Sequence, residues 1–217
     1  MMMNLFSVFD PSTGMLSMNW LSMTMVIITP SPIWKLNSKM TMMIILMSKK
    51  MGGEMILHLK KNESSIILVS LFLFILMNNI VGLTPYVFTS SAHLSFSLTL
   101  TLTLWLGMMI YGWTKKTNSM FIHLVPVGTP YMLMPFMVMI ESISNIIRPG
   151  SLAIRLSANM IAGHLLMSLL GNNLMENFPL LMMMMWLFVG LMIFEVAVAF
   201  IQSYVFMALS TIYSSEI

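Results

Sequence analysis

The chain has 217 residues, 58% of them apolar and only 8% charged, with a formal net charge of +3. A soluble domain spends about a quarter of its residues on charge because its surface faces water, so this chain must expose apolar surface to lipid. The absence of cysteine excludes disulfides, thiolate metal sites and thiol catalysis, and the basic balance is confined to loops, which excludes nucleic acid as a partner.

The predicted elements run as follows. Met1 to Trp34 carries no Lys or Arg, unlike a secretory signal or an Arg-rich transit peptide. Its apolar run Met15–Thr29 predicts a first span within 1–34, ended by Pro30-Ser31-Pro32. Residues 35–61 mix six lysines with apolar pairs and predict an amphipathic segment lying in the interface, divided at Gly52-Gly53. Ser64 to Thr114 carries no formal charge, which predicts two spans within 64–113, near 64–83 and 94–113, connected through Thr84-Pro85-Tyr86 to His93. Lys115-Lys116 then mark a loop. Both Lys-rich segments fall on one side, and the positive-inside rule makes that side the matrix or cytoplasm, with the N-terminus opposite. Trp20, Trp34, Tyr86, Trp113 and Tyr131 near span ends fit an aromatic belt.

The last hundred residues pose a length problem. Residues 130–171 as one helix would run about 63 Å, twice the ~30 Å hydrocarbon core. Either two spans break at Pro149-Gly150 or one helix is strongly tilted. Residues 178–213 pose the same choice, and Asn172-Asn173 to Pro179 reads as the turn of a hairpin. The fold class is therefore an all-α integral membrane protein of about five to six membrane helices.

Four ionisable residues, Glu141, Arg148, Arg155 and Glu195, interrupt these apolar stretches. A charge at bilayer centre costs about 2.5–3.5 kcal/mol on insertion scales and more in simulations, and arginine cannot shed its proton. At ~100° per residue, Glu141, Asn145, Arg148, Arg155 and Asn159 share one helical face. The row Ser151, Arg155, Asn159, Gly163 is small or polar, which lets another helix approach closely. Glu195 and Gln202 are seven residues apart and nearly coincident in angle. His164 lies nine residues after Arg155 on the opposite face, where an imidazole can carry a proton near neutral pH. The plainer alternatives are an Arg155–Glu195 structural ion pair, Glu141 neutralising Arg148, and His164 as a hydrogen-bonded core histidine. His58, His93 and His123 carry no assignment. No spacing suits a metal, and there is no phosphate loop or nucleophile elbow; no cofactor is expected.

The segment Ile147-Arg-Pro-Gly-Ser-Leu-Ala-Ile-Arg-Leu-Ser-Ala-Asn-Met-Ile-Ala-Gly-His-Leu-Leu166 resembles the signature of the subunit a family of mitochondrial F-type ATP synthases. Glu141, Glu195 and Gln202 in Ile201-Gln-Ser-Tyr-Val-Phe match at the right distances. Asn78-Asn-Ile-Val-Gly-Leu-Thr-Pro-Tyr86 and Leu5-Phe-Ser-Val-Phe-Asp-Pro11 resemble the animal form. The resemblance implies one membrane domain over 1–217, ending in two long tilted helices (127–171 and 178–213) that face a ring of carboxylate-bearing two-helix c-subunits. It implies Arg155 as the essential gate facing the ring carboxylate. His164 and Glu195 would lie on the proton path, supported by Glu141, Asn159 and Gln202, with Arg148, Asn145 and Ser151 on the same polar face. It implies a non-catalytic, proton-conducting stator subunit of the membrane sector, with other membrane-sector and peripheral-stalk subunits and the bilayer as partners, in the mitochondrial inner membrane. Thirty methionines suit an organellar genome that reads an isoleucine codon as Met.

Two readings compete. A self-contained ion-coupled carrier or channel needs its own cycling carboxylate, usually with broken helices or repeats. A non-conducting assembly subunit needs Arg155 only as a packing ion pair.

Overall fold

The computed structural model describes residues 5–13, 15–28, 38–59, 62–125, 128–176 and 178–216. Pro30-Ser31-Pro32, Trp34, Lys35, Lys60 and Lys61 lie outside them. Six α-helices follow in order: α1 (Lys39–Leu59), α2 (Asn62–Gly82), α3 (Leu94–Lys115), α4 (Thr117–Leu124), α5 (Met134–Glu176) and α6 (Phe178–Glu216). Short 3₁₀ helices cover Leu5–Phe9, Met18–Ile28, Ser90–Ala92 and Tyr131–Leu133. No strand occurs among the described residues, so the fold is all-α.

Lipid dictates this. Leu98-Thr-Leu-Thr-Leu-Thr-Leu104 alternates like a strand, yet it forms the middle of α3. In hydrocarbon every backbone polar group must be satisfied within its own segment, which a helix does and a lone strand cannot. The threonine hydroxyls are satisfied in the same way: Thr99, Thr101 and Thr103 donate to the carbonyls of Phe96, Ser97 and Leu100 at 2.9, 3.0 and 3.1 Å.

Among the described residues four helices are long and apolar enough to cross a membrane, over Ser65–Gly82, Leu94–Lys115, Tyr131–Asn172 and Met182–Ser215. The N-terminal apolar run takes a different local form, the eleven-residue 3₁₀ helix Met18–Ile28. Gly52 and Gly53 sit inside α1 without dividing it. Likewise Pro149 sits inside α5, which runs unbroken for 43 residues, or about 64 Å. Proline supplies no N–H, so the Asn145 carbonyl loses its helical donor. Asn145 lines a cavity through which water can satisfy that carbonyl. The expected turn at 172–179 is shorter than its sequence suggests, because α5 continues to Glu176 and α6 starts at Phe178.

Helix α2 is the hub. One cluster joins Met55 of α1, Leu68, Phe72 and Leu76 of α2, and Met207 of α6. A second joins Ile75 of α2, Leu152 and Leu156 of α5, and Phe206 of α6, with Leu100 and Leu104 of α3 packed on it. Antiparallel connections put the Ser90–Ala92 turn at one end of the bundle and Lys115-Lys116 at the other. Of the aromatic-belt residues, Tyr86 and Tyr131 are exposed and Trp113 packs edge-on against Phe121. Trp20 instead packs inward on Phe88 and His93.

Phe206 is enclosed at 1% exposure. Its replacement by alanine is expected to cost about 3–5 kcal/mol, whereas Leu106→Ala on the outer face of α3 should change little. The amount of folded chain surviving a heating series of the detergent-solubilised protein checks this.

Candidate functional site

The site is built on the antiparallel contact of α5 and α6. Near the α2 end, α6 directs Glu195 at Gly163 of α5. A Cβ added at Gly163 would stand 2.7 Å from Glu195 Oε1 and 2.8 Å from Cδ. Real Cβ contacts are never that short, so the Glu195 carboxyl occupies the space a side chain at 163 would need. Glu195 is 8% exposed, and its Oε1 is enclosed without a hydrogen-bond partner among the described residues. Two turns along α6, the Gln202 amide oxygen accepts a hydrogen bond from Asn159 Nδ2 at 3.0 Å, while Gln202 Nε2 is enclosed and unpartnered. The predicted coincidence of Glu195 and Gln202 therefore holds, and both face α5. A cavity of about 270 Å³ opens here, lined among others by Leu83, Asn159, Gly163, Phe194, Glu195 and Val198.

His164 follows Gly163 but is turned away, with Phe9 of the first 3₁₀ helix edge-on at 6.2 Å. Its Nε2 is enclosed without a partner among the described residues. Among the described residues nothing gives it the partner that the plainer reading of a hydrogen-bonded core histidine requires. A buried ring nitrogen without a partner is costly unless water or a transient proton meets it.

The opposite end of the hairpin holds a second polar group. Arg148 pairs with Glu141 at 3.6 Å and lies over the Tyr213 ring, 5.1 Å from its centroid. That distance is within range of a cation–π contact. The neutralisation of Arg148 by Glu141 is thus realised. Both line a cavity of about 570 Å³ together with Asn145, His123, Trp105 and Tyr213.

Arg155 lies between the two groups, about 10 Å along the helix from Arg148 and about 12 Å from Gly163 at ~1.5 Å per residue. It is exposed. Among the described residues it has no ion pair, so the structural pair with Glu195 is not formed. Glu195 is held by Gly163 two turns away. The exposed residues beside Arg155 are Ser151, Ala158, Asn159 and Ala162, and the Ser151 hydroxyl donates to the Arg148 carbonyl at 2.9 Å. A permanently charged guanidinium thus stands on a shallow stripe of small residues, flanked by the apolar Ile154 and Leu166 at 57% and 51% exposure.

The expected face is therefore divided by the structure. Glu141, Asn145 and Arg148 meet at one cavity, Asn159 and Glu195 at the other with Gln202 bonded to Asn159, and Arg155 stands between them without an ion pair among the described residues. Tyr213 is the residue that sequence reasoning missed. Its signal is a register: Arg148 precedes Asn159 by eleven residues, and Tyr213 follows Gln202 by eleven. Once Asn159 opposes Gln202, antiparallel packing brings Arg148 to Tyr213. The role of Gly163 as the seat of the Glu195 carboxyl needs the same register. Among the described residues no three His, Asp or Glu side chains converge as metal ligands.

Residues 12–215 match the protein-family model described as ATP synthase A chain. The chain is similar over its full length to proteins named ATP synthase subunit a, each also covered completely. It is 51% identical to that of Aedes aegypti over 225 positions, 52% to that of Drosophila melanogaster over 223, and 49% to that of Locusta migratoria over 228.

Gly163→Ala is expected to displace Glu195, at about 1–3 kcal/mol for overpacking, and to cut proton-driven activity sharply while the chain still assembles. Shortening the acid in Gly163→Ala/Glu195→Asp should restore part of that activity, measured as ATP-driven proton uptake by membrane vesicles. Asn159→Leu leaves the buried Gln202 amide unpaired, at about 1–3 kcal/mol, whereas Gln202→Leu leaves the exposed Asn159 amide to water and should cost less. The double substitution should cost less than the sum, which a double-mutant cycle on thermal stability would reveal.

Proposed function

The chain belongs to the ATP synthase A chain family, and from that premise we propose that it is the proton-translocating stator subunit of the membrane sector of an ATP synthase, with Arg155 as its gate. The observation that carries the role of Arg155 is its isolation. An exposed arginine in a membrane-crossing helix, without a carboxylate of its own among the described residues, needs a carboxylate from outside the chain. Lipid alone would leave a cost of several kcal/mol uncompensated. A ring of small subunits, each presenting one acid at mid-membrane, supplies that partner repeatedly as it turns. The fixed positive charge draws each arriving carboxyl into its ionised form. It also repels a proton that would otherwise pass straight between the two sides.

The two cavities serve as half-channels. The smaller, lined by Glu195 and by Asn159 that bonds Gln202, opens near Leu83 at the end away from the lysines, and would admit protons from the intermembrane side. The larger, with Glu141, Arg148 and His123, lies toward Lys115-Lys116 and would release them to the matrix. The clustering of lysine at that end supports the orientation, and it sets the N-terminus on the intermembrane side. His164 and Glu195 would pass protons toward the ring. Potential difference contributes about 2.3 kcal/mol per proton per 100 mV, and neither cavity carries groups suited to nucleotide chemistry. The lengths of α5 and α6, 43 and 39 residues, exceed what an upright span requires, which supports helices lying obliquely along the ring. The same partner interface implies neighbouring stalk and membrane-sector subunits on the remaining apolar faces. The methionine content supports synthesis within the organelle.

Arg155→Ala in the assembled complex is expected to abolish ATP-driven proton pumping and to raise passive proton leak through the membrane sector. Both are read by a pH-sensitive dye in vesicles. Coupled pumping at the unsubstituted rate would remove Arg155 from the mechanism.

A further inference from the structure

Between α2 and α3 the chain buries a polar turn that the mechanism above leaves unused. Thr89, Ser90 and Ser91 are 0%, 4% and 1% exposed, and Asn78 and Asn79 at the end of α2 are 4% and 0% exposed. The 3₁₀ turn Ser90–Ala92 packs against α2, α3, α5 and the Met18–Ile28 helix. Six enclosed polar atoms here have no hydrogen-bond partner among the described residues: Asn78 Nδ2, both amide atoms of Asn79, Thr89 Oγ1, Ser91 Oγ and His93 Nε2. One such atom costs about 1–3 kcal/mol, and six in one place are not sustainable dry. Sites of this kind are occupied by water making two to four hydrogen bonds each.

This polar region adjoins the Glu195 cavity. A Cβ at Gly82 would lie 3.3 Å from Thr89 Cγ2 and 3.6 Å from Met160 Cε, so the end of α2, the turn and α5 meet there. Met160 and the neighbouring Leu83 line the cavity that contains Glu195. On the other side His93 is held in an aromatic clasp, with its ring centroid 5.1 Å from both Phe88 and Trp20. The Trp20 and Phe88 rings are 5.6 Å apart. The clasp orients the imidazole: Nε2 is enclosed, while Nδ1 is not among the enclosed unpartnered atoms.

We propose that Asn78, Asn79, Thr89, Ser91 and His93 line a hydrated vestibule feeding the Glu195 cavity, and that His93 carries protons across its outer wall. The proposal rests on the reading of the chain as a proton-translocating subunit. Nδ1 takes a proton from water outside, giving the imidazolium, and Nε2 releases its proton to water inside. The neutral ring is left protonated on Nδ1, and rotation of the ring about its Cβ–Cγ bond, carrying that proton from the outer to the inner side, resets the relay. Histidine suits this step because either of its two ring nitrogens can hold the proton, one on each side of the ring. Asn79, Thr89 and Ser91 hold the water and do not titrate. Among the described residues lining the Glu195 cavity, Glu195 on α6 is the one Asp, Glu, Lys or Arg.

Because the chain has no cysteine, Ser91→Cys places one new thiol in the vestibule at little change of volume, and Leu68→Cys in the apolar cluster is its control. In assembled complex, silver ion should inhibit ATP-driven pumping several-fold in Ser91→Cys and leave Leu68→Cys and the unsubstituted complex unaffected. His93→Ala should slow pumping several-fold without leak, and imidazole in the buffer should restore it. Arg155→Ala measured in parallel separates the two levels. If it pumps normally, the parent reading fails. If it does not, while Ser91→Cys ignores silver and His93→Ala pumps at the full rate, the vestibule alone is overturned. Should His93→Ala not assemble, the silver result on Ser91→Cys decides by itself.

Discussion

A guanidinium cannot escape an apolar environment by losing its proton, and everything around Arg155 follows from that constraint. The side chain projects from α5 without an ion pair among the described residues, and the cost of leaving it so in lipid is several kcal/mol by the lowest accepted scale. Evolution's usual remedy is a carboxylate on a neighbouring helix of the same chain. Here the available acids are committed elsewhere, Glu141 to Arg148 at 3.6 Å and Glu195 to the space over Gly163. In the proposed function, this leaves the arginine available for an acid that arrives from another protein and leaves again. A permanent internal partner would abolish that turnover.

The register of α5 against α6 enforces this separation. Going down the hairpin, Gly163 faces Glu195, Asn159 bonds Gln202, Leu152 and Leu156 pack with Phe206, and Arg148 lies over Tyr213. The middle of the contact is apolar and close-packed, with Leu156 and Phe206 both 1% exposed. A dry seal therefore divides the two polar cavities on the inner side of α5, and Arg155 divides them on the outer side. The half-channels proposed above require a barrier of that kind between them.

Much of this was legible in the sequence because the expensive residues are few. Helices α2 and α3 emerge from the charge-free run Ser64 to Thr114 within a few residues of their observed ends. The shared face of Glu141, Arg148 and Arg155 follows from helical angle alone. What periodicity could not supply was the partner of each residue. Glu195 and Arg148 are equally plausible mates for several groups until the hairpin register is known, so the Gly163 seat and Tyr213 stayed hidden. Gly52-Gly53 misled, since α1 runs through the pair without a break. Pro149-Gly150 left two readings open because the pair reads as a break in water, whereas a helix in lipid keeps its hydrogen bonds because no solvent competes for them. The buried Thr89–His93 turn was hidden by its polarity, which in sequence resembles any exposed loop.

In the proposed function the stripe beside Arg155 faces a carboxylate-bearing ring that moves past it. Ala158 is exposed on that stripe, and the chain's lack of cysteine makes Ala158→Cys a clean reporter. In complex whose ring subunit carries a single cysteine at the level of its membrane carboxylate, mild oxidation should join the two chains. That link should stop coupled pumping, and reduction should release it. Failure to cross-link to the ring, or a cross-link that leaves pumping at its full rate, would contradict a mobile carboxylate partner at Arg155.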